Sequence, residues 1–195
     1  MKTDIILAGV GGQGILSIAA VIGEAAIEDG LYMKQSEVHG MSQRGGDVQS
    51  HLRISDQPVA SDLIPSGSAD IIISLEPMEA LRYLPYLKKD GWVVTNSKSF
   101  ENIPNYPDKE NVMEAYRLLP NKVILNVEQI AKDLGTPRSS NVVLLGAASP
   151  YLPIDFFKLE NGIRSIFGKK GEEVVEMNLR ALRVGAGKCI ECLDR

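Results

Sequence analysis

Cysteine is scarce in this chain: Cys189 and Cys192 are the two thiols among 195 residues. A disulfide framework needs more of them, spread more widely. A cubane iron–sulfur cluster needs four thiolates, so this chain cannot hold one alone. Excess basic charge is lacking as well. Lys and Arg number 21 against 25 Asp and Glu, for a net charge of −4. That balance leaves no footprint for neutralising the phosphates of a duplex, and no nucleic-acid partner is expected. Long apolar runs are also missing. The stretch from Ile15 to Ile27 is interrupted by Glu24 and falls short of the roughly 20 residues a membrane-spanning helix needs. Asp4, Gly9 and the glycines after it spoil a signal-peptide reading of the start. The expectation is a soluble cytoplasmic chain with no membrane association.

What is present suits a globular protein. With 44% hydrophobic and 24% charged residues, intrinsic disorder is excluded. A chain of this length buries roughly 70% of the surface its unfolded form exposes, enough for one sizeable core without staples. No repeat, linker or low-complexity segment divides it, so one domain over residues 1–195 is expected.

The hydrophobic pattern predicts an α/β fold. Ile5–Val10 reads as a buried strand closed by glycines, and Ile15, Ile18, Ala19, Ile22 and Ala26 recur at helical spacing until Gly30. Leu31–Val38 reads as a second strand, which completes a βαβ unit with a right-handed crossover. Asp47–Ile54 alternates, with Gln49, His51 and Arg53 on a wetter face, and His51 is expected to be exposed. Ala69–Leu75, Gly91–Asn96 and Lys122–Asn126 are further strands. Helices are expected over Glu76–Leu87 (with Pro85 bending or ending it), Lys109–Leu119, Val127–Leu134, Ser139–Ala148, Asp155–Phe167 and Gly171–Val184. The result is a three-layer α/β/α sandwich, Rossmann-like, with a mainly parallel sheet and a C-terminal helical cover.

Two loops carry the chemistry. Gly9-Val10-Gly11-Gly12-Gln13-Gly14 lies between a strand and a helix and satisfies G-x-G-x-x-G at Gly9, Gly11 and Gly14. Such a turn offers free N–H groups to an anion, and Glu37 could serve as a ribose-binding acid. A dinucleotide, another ligand or partner, and tight packing alone all remain open. The added Gly12 and Gln13 tilt away from a nucleotide, because a bare surface with one amide suits an approaching backbone equally well. The second loop, Ser36-Glu37-Val38-His39-Gly40-Met41-Ser42-Gln43-Arg44-Gly45-Gly46, leaves the carboxyl end of the second strand. Ligands of open α/β sheets bind beyond that edge, so both loops should be neighbours there. Arg44 could present its guanidinium to a carboxylate or phosphate; a solvated surface loop is the bland alternative. Cys189-Ile190-Glu191-Cys192 sits beside an acid near the terminus and reads as incidental thiols. No metal-ligand spacing, nucleophile elbow, P-loop or thiamine-type G-D-G is present, so any enzymatic role lies in completing a site on another chain.

Taken together, Ala8–Ile15 and Gln35–Gly46 resemble the gamma-type domain of the 2-oxoacid:ferredoxin oxidoreductases. Ser140-Asn141-Val142-Val143-Leu144-Leu145-Gly146 is similar to a later Asn-containing segment of that family, and the likeness runs through nearly the whole chain. The stretch His39-Gly40-Met41-Ser42-Gln43-Arg44 resembles the indolepyruvate-type small (beta) subunits more than the pyruvate gamma subunits. The resemblance implies one subunit of an enzyme that oxidatively decarboxylates a 2-oxoacid, passes electrons to ferredoxin and forms an acyl-coenzyme A. It implies thiamine diphosphate and [4Fe–4S] clusters on a large partner subunit, coenzyme A as co-substrate, and no cofactor or metal on this chain alone. It places Gly9, Gly11, Gly12, Gln13 and Gly14, with His39, Ser42, Gln43, Arg44, Gly45 and Gly46, toward the partner and its substrate pocket. Gln43 and Arg44 are then candidates for the anionic end of substrate or coenzyme A. No catalytic residue is assigned, and the isolated chain, expected to be inactive, could pair with itself. The rival readings are a stand-alone nicotinamide-dependent oxidoreductase using Gly9, Gly11, Gly14 and Glu37, and a non-catalytic nucleotide-binding module.

Overall fold

In the computed structural model, which describes residues 1–40, 45–101 and 103–193, the most deeply buried strand comes first. β1 (Lys2–Val10) exposes little beyond its first residue. Its Ile5 and Leu7 point to one face and Ile6 and Ala8 to the other, and all four are fully buried. A strand that is apolar on both faces belongs in the middle of a covered sheet.

The sheet has six strands in the order β2-β3-β1-β4-β5-β6. β4 (Ala69–Ser74) pairs parallel to β1, β5 (Leu87–Asn96) to β4, and β6 (Lys122–Leu125) to β5. β3 (Asp47–Ser55) runs antiparallel to both β1 and β2 (Tyr32–His39). The expected βαβ unit is therefore split, because β3 lies between the two strands joined by the helix. Burial explains the exchange. β3 is buried from Ser50 to Ser55, whereas Lys34, Gln35 and Glu37 make β2 suited only to an edge.

Helices cover both faces. α1 (Ile15–Glu28), α4 (Val127–Asp133), α5 (Ser140–Ala148), α6 (Phe156–Phe167) and α7 (Glu172–Leu193) contribute to the larger core. α2 (Pro77–Arg82) and α3 (Lys109–Arg117) cover the other side around Ile6, Ile72, Val93 and Tyr116. This is the expected three-layer arrangement, with the C-terminal helices as its cover. Each fully buried Ile or Leu here contributes about 1.5–3 kcal/mol. α1 buries Ile15, Ile18, Ala19, Ile22 and Ala26 as its spacing requires. It stops where Gly30 takes φ 71°, and Leu31 N–H returns to the Ala26 carbonyl. The helix expected over Glu76–Leu87 is shorter. After Arg82 a single 3₁₀ turn containing Pro85 ends it, and the chain enters β5 at Leu87.

Two polar residues sit differently from the alternation's promise. His51 and Arg53 are 5% and 7% exposed, not on a wet face. Residues 56–68 strap over that side of the sheet. Arg53 donates to the Ser61 and Leu63 carbonyls, Lys34 Nζ donates to the Ala60 carbonyl, and His51 Nδ1 accepts the Ile64 N–H at 2.9 Å. Cys189 is likewise fully buried, with its Sγ 3.4 Å from the Tyr151 hydroxyl, because α7 extends well past Val184. The side chain of Cys192 lies outside the described residues.

His51 gives the strap an acid sensitivity. Burial foremost, then the Arg53 charge, pushes its pKa below 6.5, against the opposing pull of Asp62 and Asp4. The Tyr86 ring packs edge-on at 5.4 Å. The folded protein resists a proton that the unfolded chain accepts near 6.5. Stability is therefore complete above that pH and declines as pH falls toward the folded pKa. Thermal melts of wild type should drop between about pH 7 and pH 5, and His51→Gln should flatten that slope. Parallel slopes would remove His51 as the cause.

Candidate functional site

The carboxyl ends of β1, β4, β5 and β6 meet along one rim, and the first glycine loop is built into it. Gly12 and Gly14 hold φ of 101° and 84°. Only glycine adopts that region freely. A Cβ on Gly9 would meet Gln13 Oε1 and Ile15 Cγ1 at 2.9 Å, so the strand-to-helix turn closes only without one. A Cβ on Gly14 would meet Asn141 Nδ2 at 2.7 Å, and that amide donates to the Gly14 carbonyl at 3.1 Å. α5 thus reaches back to brace the start of α1.

The two glycine loops are stitched together. Gly11 N–H donates to the Gly46 carbonyl at 2.8 Å, and Gly45 N–H donates to the Gly11 carbonyl at 3.3 Å. His39 at the end of β2 is exposed on the same rim. Ser42, Gln43 and Arg44, with Met41, lie outside the described residues.

The loop's own hydrogen bonds decide what it can hold. Gln13 Oε1 accepts Val10 N–H at 2.8 Å, and Gln13 Nε2 points to the Leu75 carbonyl at 3.4 Å. Gln13 N–H returns to the Val10 carbonyl. Val10, Gly11 and Gln13 N–H groups are thereby consumed within the protein, and the Gln13 amide closes the turn instead of facing an approaching headgroup. The Leu75 carbonyl also receives Asn96 Nδ2 at 3.4 Å, while Asn96 Oδ1 accepts Val127 N–H at the start of α4. Asn96 and Asn141 are the two residues that fasten this rim. Asn141 lies in a segment the family resemblance marks; nothing in the spacing marks Asn96.

Beside Gly12 opens a cleft of about 250 Å³ lined by Gln13, Asn96, Glu128, Arg138 and Ser140. It adjoins a second cleft of about 530 Å³ that adds Lys98 and Lys132. Lys98 pairs with Glu128 at 2.6 Å. Leu16, Phe100 and Ile103 are exposed on the surrounding loops and first helical turn, so the rim is apolar as well as polar. The lone Trp92 stacks on Tyr151 at 4.0 Å near the opposite end of the sheet, remote from this cleft.

Perturbed titrating groups near the rim are spoken for. Burial raises the Glu79 carboxyl, partly offset by Arg82, which binds both its oxygens at 2.9 and 3.2 Å. Burial, then the Glu79 and Asp47 charges, pushes Tyr83 up to about 12. Glu76, 1% exposed, caps α2 through Glu79 N–H and receives the Tyr106 hydroxyl, which burial and that carboxylate hold protonated. These pairs brace loops and present no acid or base to the cleft.

Comparison with known proteins fits this geometry. The family model for pyruvate ferredoxin/flavodoxin oxidoreductase matches residues 4–187. The chain belongs to that family. Among family members, the indolepyruvate oxidoreductase subunit IorB of Archaeoglobus fulgidus is 36% identical, over 97% of this chain and 96% of that one. The common gamma subunit of the pyruvate/ketoisovalerate oxidoreductases of Pyrococcus furiosus is 28% identical over 90% of each. The crystal structure of a keto/oxoacid ferredoxin oxidoreductase gamma subunit from Geobacter sulfurreducens superposes with TM-score 0.72 at 27% identity, covering 98% of both chains. The 2-oxoglutarate:ferredoxin oxidoreductase of Magnetococcus marinus shares the fold at TM-score 0.77 and 24% identity, and there the match covers 31% of a longer chain. Among the described residues, no helix is long and apolar enough to cross a membrane.

Proposed function

We propose that this chain is the small subunit, a single gamma-type domain over residues 1–195, of a cytoplasmic 2-oxoacid:ferredoxin oxidoreductase acting on indolepyruvate or another arylpyruvate. The relatives named as indolepyruvate oxidoreductase subunits support the substrate class. The observation that carries the reading is the rim itself: two glycine loops tied to each other, open beside a cleft, with exposed Leu16, Phe100 and Ile103 on the segments that follow β1 and β5. Such a surface completes another chain's pocket. The enzyme releases carbon dioxide from the 2-oxoacid, passes the electron pair to ferredoxin and leaves the acyl group on coenzyme A.

The residues present do not fit the cofactors of that chemistry. Two cysteines are half the number a cubane cluster needs, and Cys189 is packed against Tyr151. Among the described residues no group of three His, Cys, Asp or Glu is placed to hold a metal ion. We place thiamine diphosphate and the [4Fe–4S] clusters on the large partner subunit. Gly9, Gly11, Gly12, Gln13, Gly14, His39, Gly45 and Gly46 shape this chain's half of the interface, and Ser42, Gln43 and Arg44 are assigned to it from the sequence alone. Arg44 holds the carboxylate of the 2-oxoacid or a phosphate of coenzyme A.

The dinucleotide reading is the weaker one. Three loop N–H groups are already bonded inside the protein, and Glu37 lies across β3 from the glycine loop, two strand spacings of about 4.8 Å away. Reconstitution with the large subunit tests the proposal. The chain alone should show no turnover and no thermal stabilisation by NADH. The complex should reduce ferredoxin on indolepyruvate and coenzyme A, and Arg44→Ala should raise one KM by about tenfold, the worth of one charge-assisted hydrogen bond. Stabilisation by micromolar NADH would overturn the subunit reading; unchanged KM values would remove Arg44.

A further inference from the structure

Among the described residues, β2 closes one end of the sheet with no strand beyond it. Its eight residues pair with β3 in unbroken register, from Tyr32 opposite Ser55 to His39 opposite Val48. The outer side therefore carries a straight row of backbone N–H and C=O groups. Natural edge strands are protected by proline, bulges or a charge standing over the edge. β2 has no proline and no bulge. Its one lysine, Lys34, is drawn sideways, with Nζ on the Ala60 carbonyl of the strap at 2.9 Å, and its one acid, Glu37, falls opposite Met33 in a pairing centred on Gln35.

The side chains on that edge are self-complementary. Tyr32, Lys34, Ser36 and Val38 alternate onto one face. Tyr32 and Val38 are 52% and 51% exposed, and each lies three positions from Gln35. A twofold axis through Gln35 and perpendicular to the sheet sets each Tyr32 against the other copy's Val38. It also sets Lys34 against Ser36 and Gln35 against Gln35. Aromatic against β-branched is a favourable cross-strand pair, and here it occurs twice. Moving the axis to Ser36 places Lys34 against Val38 and leaves Tyr32 opposite Gly40. An axis between residues opposes side chains from different faces and forms no ladder.

We infer that β2 is a homodimerisation edge, on which a second copy of this chain adds its own β2 antiparallel, centred on Gln35, to make a continuous twelve-stranded sheet from two six-stranded ones. The interface is isologous, as a twofold requires. It uses the open end of the sheet and not the cleft beside Gly12, and among the residues proposed for the subunit interface β2 contains only His39.

The register makes a sharp test. Residues at position 35 oppose each other with Cα atoms about 4.5–5.5 Å apart, within disulfide range. The full chain should sediment as a dimer at micromolar concentration. Gln35→Cys should give a covalent dimer on mild oxidation, well above the wild-type background from Cys189 and Cys192. Ser36→Cys should stay near background. Tyr32→Asp and Val38→Asp should each shift the equilibrium toward monomer by at least tenfold while their thermal melts remain cooperative. A monomeric wild type, a dimer indifferent to both aspartates, or no cross-link at position 35 would each overturn the inference. The cysteine variants keep it decidable if an aspartate variant fails to fold.

Discussion

Gly185→Ala should leave α5 and α7 unable to pack, with a loss of stability of at least about 3 kcal/mol. The two helices cross with their backbones in contact. A Cβ on Gly185 would stand 2.0 Å from the Val143 carbonyl oxygen, and a Cβ on Gly146 would stand 2.1 Å from the Leu182 carbonyl oxygen. These are backbone atoms, so no side-chain rotation relieves the clash. One helix must move away, and the fully buried Val143, Leu144, Leu179 and Leu182 lose their fit with it. Gly146→Ala should act in the same way, and the double variant should cost less than the sum, because one separation relieves both contacts. Gly187 lies two residues further along α7 with nothing within 4 Å of its Cβ position. Gly187→Ala should stabilise by up to about 1 kcal/mol through helix propensity. Chemical denaturation of the four variants tests these claims. Equal midpoints for Gly185→Ala and Gly187→Ala would refute the crossing. The consequence reaches the rim, since α5 carries Asn141, whose amide holds the Gly14 carbonyl.

Periodicity and turn chemistry marked β1, the first glycine loop and α1 because local rules govern all three: an apolar run, glycines, then a 3.6-residue stripe. The adjacency of the two loops also followed from topology, since both leave carboxyl ends of strands. What escaped depends on contacts distant in sequence. β3 intrudes between β2 and β1 because its inner residues are buried, and no local pattern distinguishes a hairpin from a direct crossover there. His51 and Arg53 looked wet because alternation reports which residues share a face, not whether a later segment covers that face. Gln13 looked like an available amide because its acceptor, the Leu75 carbonyl, lies 62 residues away. The Gly146–Gly185 crossing gave no signal either, since a helical glycine has the same sequence appearance whether it faces solvent or another backbone.

Asp4→Ala should destabilise the protein by about 3–5 kcal/mol, the cost of leaving one member of a buried pair alone. Asp4 is 2% exposed. Its carboxylate accepts from Arg53 Nε at 2.8 Å and from the guanidinium's second arm at 3.2 Å, and Lys2 approaches at 2.9 Å. Arg53 Nη1 donates to both the Ser61 and Leu63 carbonyls, so the pair anchors the strap to β1 as well as β3 to β1. Removing the carboxylate leaves a buried guanidinium without its counter-charge, whereas Asp4→Leu with Arg53→Met removes both charges and should recover part of the loss. The pH dependence separates this cost from a packing defect. Burial raises the Asp4 pKa, but the Arg53 and Lys2 hydrogen bonds outweigh it and hold the carboxyl below its usual 3.8. The pair's contribution is therefore complete above that pH and disappears as pH falls through the folded pKa. Urea midpoints of wild type and Asp4→Ala should differ fully at pH 7 and converge in stronger acid. A gap that persists unchanged in acid strong enough to protonate the folded carboxyl would assign the loss to lost volume, and the ion pair would then not be what holds the strap.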